Sequence, residues 1–183
     1  KVPAAVGTPG GPTDAGGGVV DGGPGEAVEV QEGDEYAFTF SFYIEPVVYR
    51  DPGTENLILR FKGATAELQT FGLQLWDDGA GQRGLWASGE AMGGERFLAP
   101  VAEREWHEAV VCFRASSEGD GFYLLILDGQ PIDMRAWVSL IDPGSSSTLI
   151  EAGLFREGVL VEDATDVFFG PAELSETLES VIP

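Results

Sequence analysis

The stretch from His107 to Asp133, HEAVVCFRASSEGDGFYLLILDGQPID, leaves a chain like this few ways to fold. Ala109, Val111 and Phe113 alternate with Val110, Cys112 and Arg114, so an extended segment here separates its side chains onto two faces. The run FYLLIL after Gly121 is short, apolar and bounded by turn residues, the pattern of a strand covered on both sides. Asp128-Gly129 follows it with two residues that both accept positive φ, the strongest short-range signal for a two-residue hairpin. The expectation is strand, turn, strand, turn, strand. Antiparallel strands of this kind form sheets that bury one face against a second layer.

The same pattern recurs along most of the chain. Val28 and Val30 suggest a short strand before a turn at Gln31-Glu32-Gly33-Asp34. From Glu35 to Glu45, Tyr36, Phe38, Phe40 and Phe42 fall on one face, with Ala37, Thr39, Ser41 and Tyr43 on the other. Pro46 and Asp51-Pro52-Gly53 end that strand in a loop. LILRFK (57–62) places Arg60 and Lys62 on one face with Ile58, and FGLQLWD (71–77) places Gln74 with Trp76 before a turn at Asp77-Asp78-Gly79. Leu85-Trp86-Ala87 fits a brief strand, 88–100 an irregular glycine-rich connection, and 131–142 one short helical turn. After a turn at Asp142-Pro143-Gly144-Ser145, TLIEAGLF (148–155) and TDVFFGP (165–171) read as closing strands. The expected fold is all-β, a two-sheet antiparallel β-sandwich of the jelly-roll type. Residues 1–25 hold nine glycines and four prolines and read as a leader or linker, with the jelly-roll domain over 26–183.

Composition narrows the function. With 31 acidic residues against ten basic ones, the net charge of −21 repels DNA, RNA and anionic membranes. Cys112 is the sole cysteine, so it forms no intramolecular disulfide, and its apolar neighbours point to core packing. No apolar run is long enough for a membrane-spanning helix. A start at Lys1 fits a chain trimmed of an export signal, and the expected location is extracellular or at the cell surface.

In order and spacing, EGDEYAFTFSFYIEP (32–46), REWHEAVVCFRAS with the GDGFYLLILDGQ hairpin (104–130), IEAGLFR (150–156) and DVFFGP (166–171) resemble a known family. It is the polysaccharide lyase group with the concanavalin A-like jelly-roll fold, which includes heparin lyase I-like and glucuronan lyase-like proteins. The resemblance covers about residues 28 to 175. It implies a curved sheet holding a uronate-containing sugar chain, cleaved by β-elimination. Typical members carry Gln-x-His on the strand matched by LILRFK and Lys-x-Gly-x-Tyr-Arg near the end. Here Arg60 stands for that glutamine and Lys62 for that histidine. Glu151 replaces the lysine and Phe155 the tyrosine, while Gly153 and Arg156 fit the pattern.

β-Elimination requires a neutralised carboxylate, a base for the C5 proton and an acid for the leaving oxygen. Phe155 can transfer no proton. Lys62, Arg60 and His107, the only histidine, are the remaining catalytic candidates. Lys62 acts as a base only if its pKa falls by about three units, whereas a Glu151 standing opposite it would keep it charged. As ligand-binding candidates we take Arg60, Lys62, Gln74, Trp76, Glu151 and Arg156. The cations either hold an anionic sugar or close a salt-bridge network with Glu151. Trp76, Trp86 and Tyr43 either stack on sugar rings or pack the core, and Arg96 in the 88–100 loop is a rim candidate. No cofactor is expected. Acidic turns at Asp77-Asp78, Glu118-Gly119-Asp120 and Glu162-Asp163…Asp166 offer oxygens for Ca²⁺ but lack calcium-loop spacing. The leading expectation is a carbohydrate-recognising or structural module without catalysis, with a polysaccharide as its partner. The alternatives are a polysaccharide lyase with an altered acid–base set, and a self-assembling surface protein tethered by its leader.

Overall fold

The computed structural model describes residues 2–4, 28–45, 56–63, 69–155 and 167–175. Their strands are β1 (Val2–Ala4), β2 (Val28–Gln31), β3 (Glu35–Ile44), β4 (Asn56–Gly63), β5 (Gln69–Asp77) and β6 (Arg83–Ser88), followed by β7 (Arg96–Ala99), β8 (Trp106–Arg114), β9 (Gly121–Leu127), β10 (Gln130–Val138), β11 (Ser147–Phe155) and β12 (Val167–Ser175). They form two antiparallel six-stranded sheets. The first runs β1-β12-β3-β8-β9-β10 and the second β2-β11-β4-β5-β6-β7. Consecutive described strands change sheet six times, from β1 to β2, β2 to β3, β3 to β4, β7 to β8, β10 to β11 and β11 to β12. This is a β-sandwich with jelly-roll character, as the alternation predicts.

The aromatic face of β3 explains why the two layers stay together. Phe38, Phe40 and Phe42 are almost wholly buried, and their rings run up the strand at 5.9 Å intervals. From the opposite sheet Phe61 meets Phe113 edge-on at 4.9 Å, and Phe71 meets Tyr123 at 4.9 Å. Tilted and edge-on pairs of this kind add to the burial of large rings. The hairpin is as predicted: Asp128 has φ 50° and Gly129 φ 74°, joining β9 to β10 through a turn that needs both values positive.

Several local expectations are corrected. The segment 131–142 begins in β10, with no helical turn among its residues. Its apolar spacing is broken by bulges after Pro131 and after Ala136, which hid the period of two. The second bulge leaves Trp137 at φ 63° and 82% exposed. The connection 88–100 is more ordered than expected, holding a 3-10 helix at Glu90–Met92 and the edge strand β7. FYLLIL is not covered on both sides: Tyr123, Leu125 and Leu127 are buried, whereas Phe122, Leu124 and Ile126 are half-buried. Ile58 does not share the face of Arg60 and Lys62. The β4–β5 register slips between Leu57 and Leu59, so the bulged Ile58 joins the core while Leu57 faces outward. Val2–Ala4, inside the expected leader, pairs with β12, Val2 opposite Leu174. The expected loop at Pro46 and Asp51-Pro52-Gly53 lies outside the described residues.

Candidate functional site

One face of the β11-β4-β5-β6-β7 sheet points into the core and the other points away from it, and the chemistry gathers on the second. Register sets its rows. Arg60 of β4 stands opposite Glu151 of β11 and Gly72 of β5, and Gly72 stands opposite Ser88 of β6. One row along, Phe155, Leu57, Gln74, Trp86 and Phe97 lie across five strands. Trp76 follows Gln74 on the same face of β5, and Lys62, opposite Gln69, lies beyond Arg60 on the far side. The predicted Gln74–Trp76 pairing is therefore real, and Trp86 completes it.

Arg60 is already engaged. Its Nε donates to Glu151 Oε2, and its guanidinium sits 4.0 Å over the Phe155 ring. The Glu151 side chain is 10% exposed and that of Arg60 23%. Separating such a pair leaves a partly buried charge unmatched, a larger loss than a surface ion pair would entail. Of the expected network, Arg60 and Glu151 thus close on each other. Lys62 makes no ion pair among the described residues, and Arg156 lies outside them. Gly72 leaves room for the neighbouring side chains, because a Cβ there would fall 2.2 Å from Gln69 Nε2 and 2.9 Å from Leu57 Cδ2 and displace them. That Gln69 amide donates to Ser88 Oγ at 2.9 Å.

The adjoining row is unusual in what it leaves unpaired. Gln74 is fully buried, yet neither Nε2 nor Oε1 has a hydrogen-bond partner. The buried indole nitrogens of Trp76 and Trp86 lack partners as well. The two indoles meet edge-on at 4.6 Å, and Trp86 meets Phe97 at 5.4 Å. Each buried polar group left unpaired costs about 1–3 kcal/mol, and folded proteins keep such groups few. Sequence reading found Gln74 and Trp76 through their shared face. Nothing in the sequence shows that their polar atoms would be orphaned.

The other candidates lie elsewhere. His107 belongs to β8 in the opposite sheet and is buried, not the edge residue its position suggests. Its Nδ1 lies 2.8 Å from Asp128 Oδ2 and its Nε2 2.9 Å from the Ala102 carbonyl, so both ring nitrogens are occupied in bracing the hairpin turn. Tyr43 also lies in that sheet, beside the exposed Trp106 and Phe168. Arg96 pairs with Asp133 of β10, and Asp133 also accepts from the Tyr123 hydroxyl. Arg96 therefore ties the two sheet edges together instead of lining the rim. Burial and the neighbouring Asp133 push the Tyr123 hydroxyl well above the ordinary tyrosine range. Among the described residues no three metal-ligating side chains converge. At the first acidic turn the carboxylates of Asp77 and Asp78 accept backbone N–H groups of Gly79, Ala80 and Gln82. The cluster at 162–166 lies outside the described residues.

No protein-family model and no curated protein matches the sequence. Solved structures do share its fold. The endo-β-1,4-glucuronan lyase of the fungus Trichoderma reesei superposes with a TM-score of 0.62 at 16% identity, over 82% of this chain and 74% of that one. A variant of alginate lyase Aly36B bound to an alginate trisaccharide gives 0.56 at 11% identity, over 82% and 74%. A human galectin-16 variant gives 0.52 at 12% identity, over 82% of this chain and 94% of its own. The chain therefore has a polysaccharide-lyase-like jelly-roll fold.

Proposed function

We propose that this chain is a glycan-binding module of the extracellular space or cell surface, built on a lyase-like β-sandwich and lacking eliminase chemistry. The observation that carries the reading is the outward face of the β11-β4-β5-β6-β7 sheet. It gathers Arg60, Lys62, Gln74, Trp76 and Trp86, and among the described residues it offers no base–acid pair. Arg60 is tied to Glu151, and Phe155 lies against it where a proton donor would be needed. Indoles and a buried amide suit a sugar ring, which has apolar C–H faces and a polar rim. The fold alone does not decide between binding and cleavage, since one scaffold carries many functions. Support for a glycan partner comes from the structural neighbours, among them one bound to an alginate trisaccharide.

Affinity electrophoresis through gels containing a panel of polysaccharides tests the reading. The wild-type chain is expected to be retarded by at least one glycan, and Trp86→Ala to run unretarded. Trp106→Ala, on the opposite sheet, should behave as wild type. Retardation lost in Trp106→Ala and kept in Trp86→Ala would move the site to the wrong sheet and refute the proposal.

A further inference from the structure

Resting on the reading of this face as a glycan site, we infer that Gln74, Trp76 and Trp86 form a subsite for neutral, hydroxyl-bearing sugar units and not for uronates. The inference starts from the orphaned atoms. Gln74 is 0% exposed and Trp86 6%, and the side-chain polar atoms of both, with Trp76 Nε1, have no partner among the described residues. Together they hold, buried, the two amide hydrogens and carbonyl oxygen of Gln74 and one N–H from each indole. Their positions are fixed by register. Gln74 stands opposite Trp86 on β6, and the Trp76 ring lies 4.6 Å from that of Trp86. The unpaired atoms are buried, and of the three residues Trp76 is the partly exposed one, so a ligand edge reaches them when its ring swings aside.

The charge balance selects the ligand. A carboxylate only accepts hydrogen bonds, so it would use the N–H groups but face Gln74 Oε1 with its own negative charge. It would also need a cation. Arg60 is committed to Glu151 and Phe155, and Lys62 lies on the far side of that pair from Gln74. The net charge of −21 adds a long-range field against anions. A vicinal pair of sugar hydroxyls both donates and accepts, and it satisfies carbonyl and N–H groups together without bringing charge. Such a ligand removes the cost of the unpaired atoms on binding.

The test combines titration calorimetry and thermal melting on wild type, Gln74→Leu and Trp86→Phe. The probes are neutral gluco-, galacto- and manno-oligosaccharides alongside glucuronan and alginate oligomers, each at low and high salt. Wild type is expected to bind a neutral oligosaccharide with little dependence on salt. Gln74→Leu removes an unsatisfied amide at similar volume, so it should raise the thermal midpoint while weakening neutral binding about tenfold or more. Trp86→Phe, which keeps an aromatic ring but loses the N–H, should weaken binding in the same direction. Uronate oligomers binding in place of neutral ones would overturn this inference and leave the glycan site standing. Gln74→Leu lowering the midpoint with binding intact would assign the amide a structural role and also overturn it. Failure of every oligosaccharide and polymer to bind would remove the glycan reading itself, and this inference with it.

Discussion

Asp128 shows how much one side chain can decide. Its Oδ1 accepts from the Glu108 N–H at 2.9 Å, and its Oδ2 faces His107 Nδ1 at 2.8 Å. The other ring nitrogen faces the Ala102 carbonyl, so the imidazole donates on both sides only when doubly protonated. Asn at 128 keeps the left-handed φ and the bond from Glu108. Its amide can donate to an unprotonated Nδ1 while Nε2–H serves Ala102. Asp128→Asn should therefore stay within about 1 kcal/mol of wild type in urea melts, whereas Asp128→Ala should lose about 1–3 kcal/mol by stranding a buried histidine. Gly129→Val, at φ 74°, should lose about 1–3 kcal/mol through backbone strain, and an unchanged midpoint would show the turn misassigned. Tyr123 gives a pH dependence with a definite sign. Its folded hydroxyl is held above its unfolded value of about 10, so the stabilisation is complete below that pH and drains away as pH rises beyond it. In melts followed from neutral to strongly alkaline pH, Tyr123→Phe should flatten the alkaline decline. A decline as steep as that of wild type would mean that Tyr123 does not titrate as described.

At the scale of elements, strands with an unbroken period of two were legible and those with bulges were not. β3 and β8 keep an unbroken period of two: Phe38, Phe40, Phe42, Ala109, Val111 and Phe113 join the inter-sheet core, while Ala37, Val110 and Cys112 form a second buried cluster on the other face. β4 and β10 each carry a bulge, and a one-residue slip turns side chains to the opposite face. That is why Ile58 was placed beside Arg60, and why β10 resembled a helical turn. The candidate site was half legible. A shared face placed Gln74 with Trp76, and the family resemblance grouped Arg60 with Glu151, but closure of that ion pair and the stranding of Gln74 depend on three-dimensional contacts without a sequence period. Gly121 marks where three strands converge. A Cβ there would lie 2.6 Å from the Val138 carbonyl oxygen and 2.7 Å from that of Arg114, both backbone atoms of neighbouring strands. Gly121→Ala should cost about 1–3 kcal/mol, read in denaturant melts, because rigid backbone cannot yield as a flexible side chain would. An Ala variant as stable as wild type would show that the β8–β9 junction is looser than described.

For the whole molecule, the two sheets divide the work. The β1-β12-β3-β8-β9-β10 sheet supplies the aromatic ladder of β3 and the braced hairpin, which carry stability. The opposite sheet contributes Phe61 and Phe71 to the same core, and its other face carries paired charge and buried, unpaired amide and indole groups. Unsatisfied polar groups lower stability, and four of the six such buried side-chain atoms among the described residues belong to Gln74, Trp76 and Trp86 on this face. The central claim is that this face binds without cleaving. Ultraviolet absorbance of unsaturated uronate ends, followed during prolonged incubation of the wild-type chain with glucuronan, alginate and heparin, tests it most directly. No absorbance above the protein-free control is expected on any of the three polymers. Unsaturated ends that accumulate with wild type and disappear in Lys62→Ala would contradict it and make the chain a lyase.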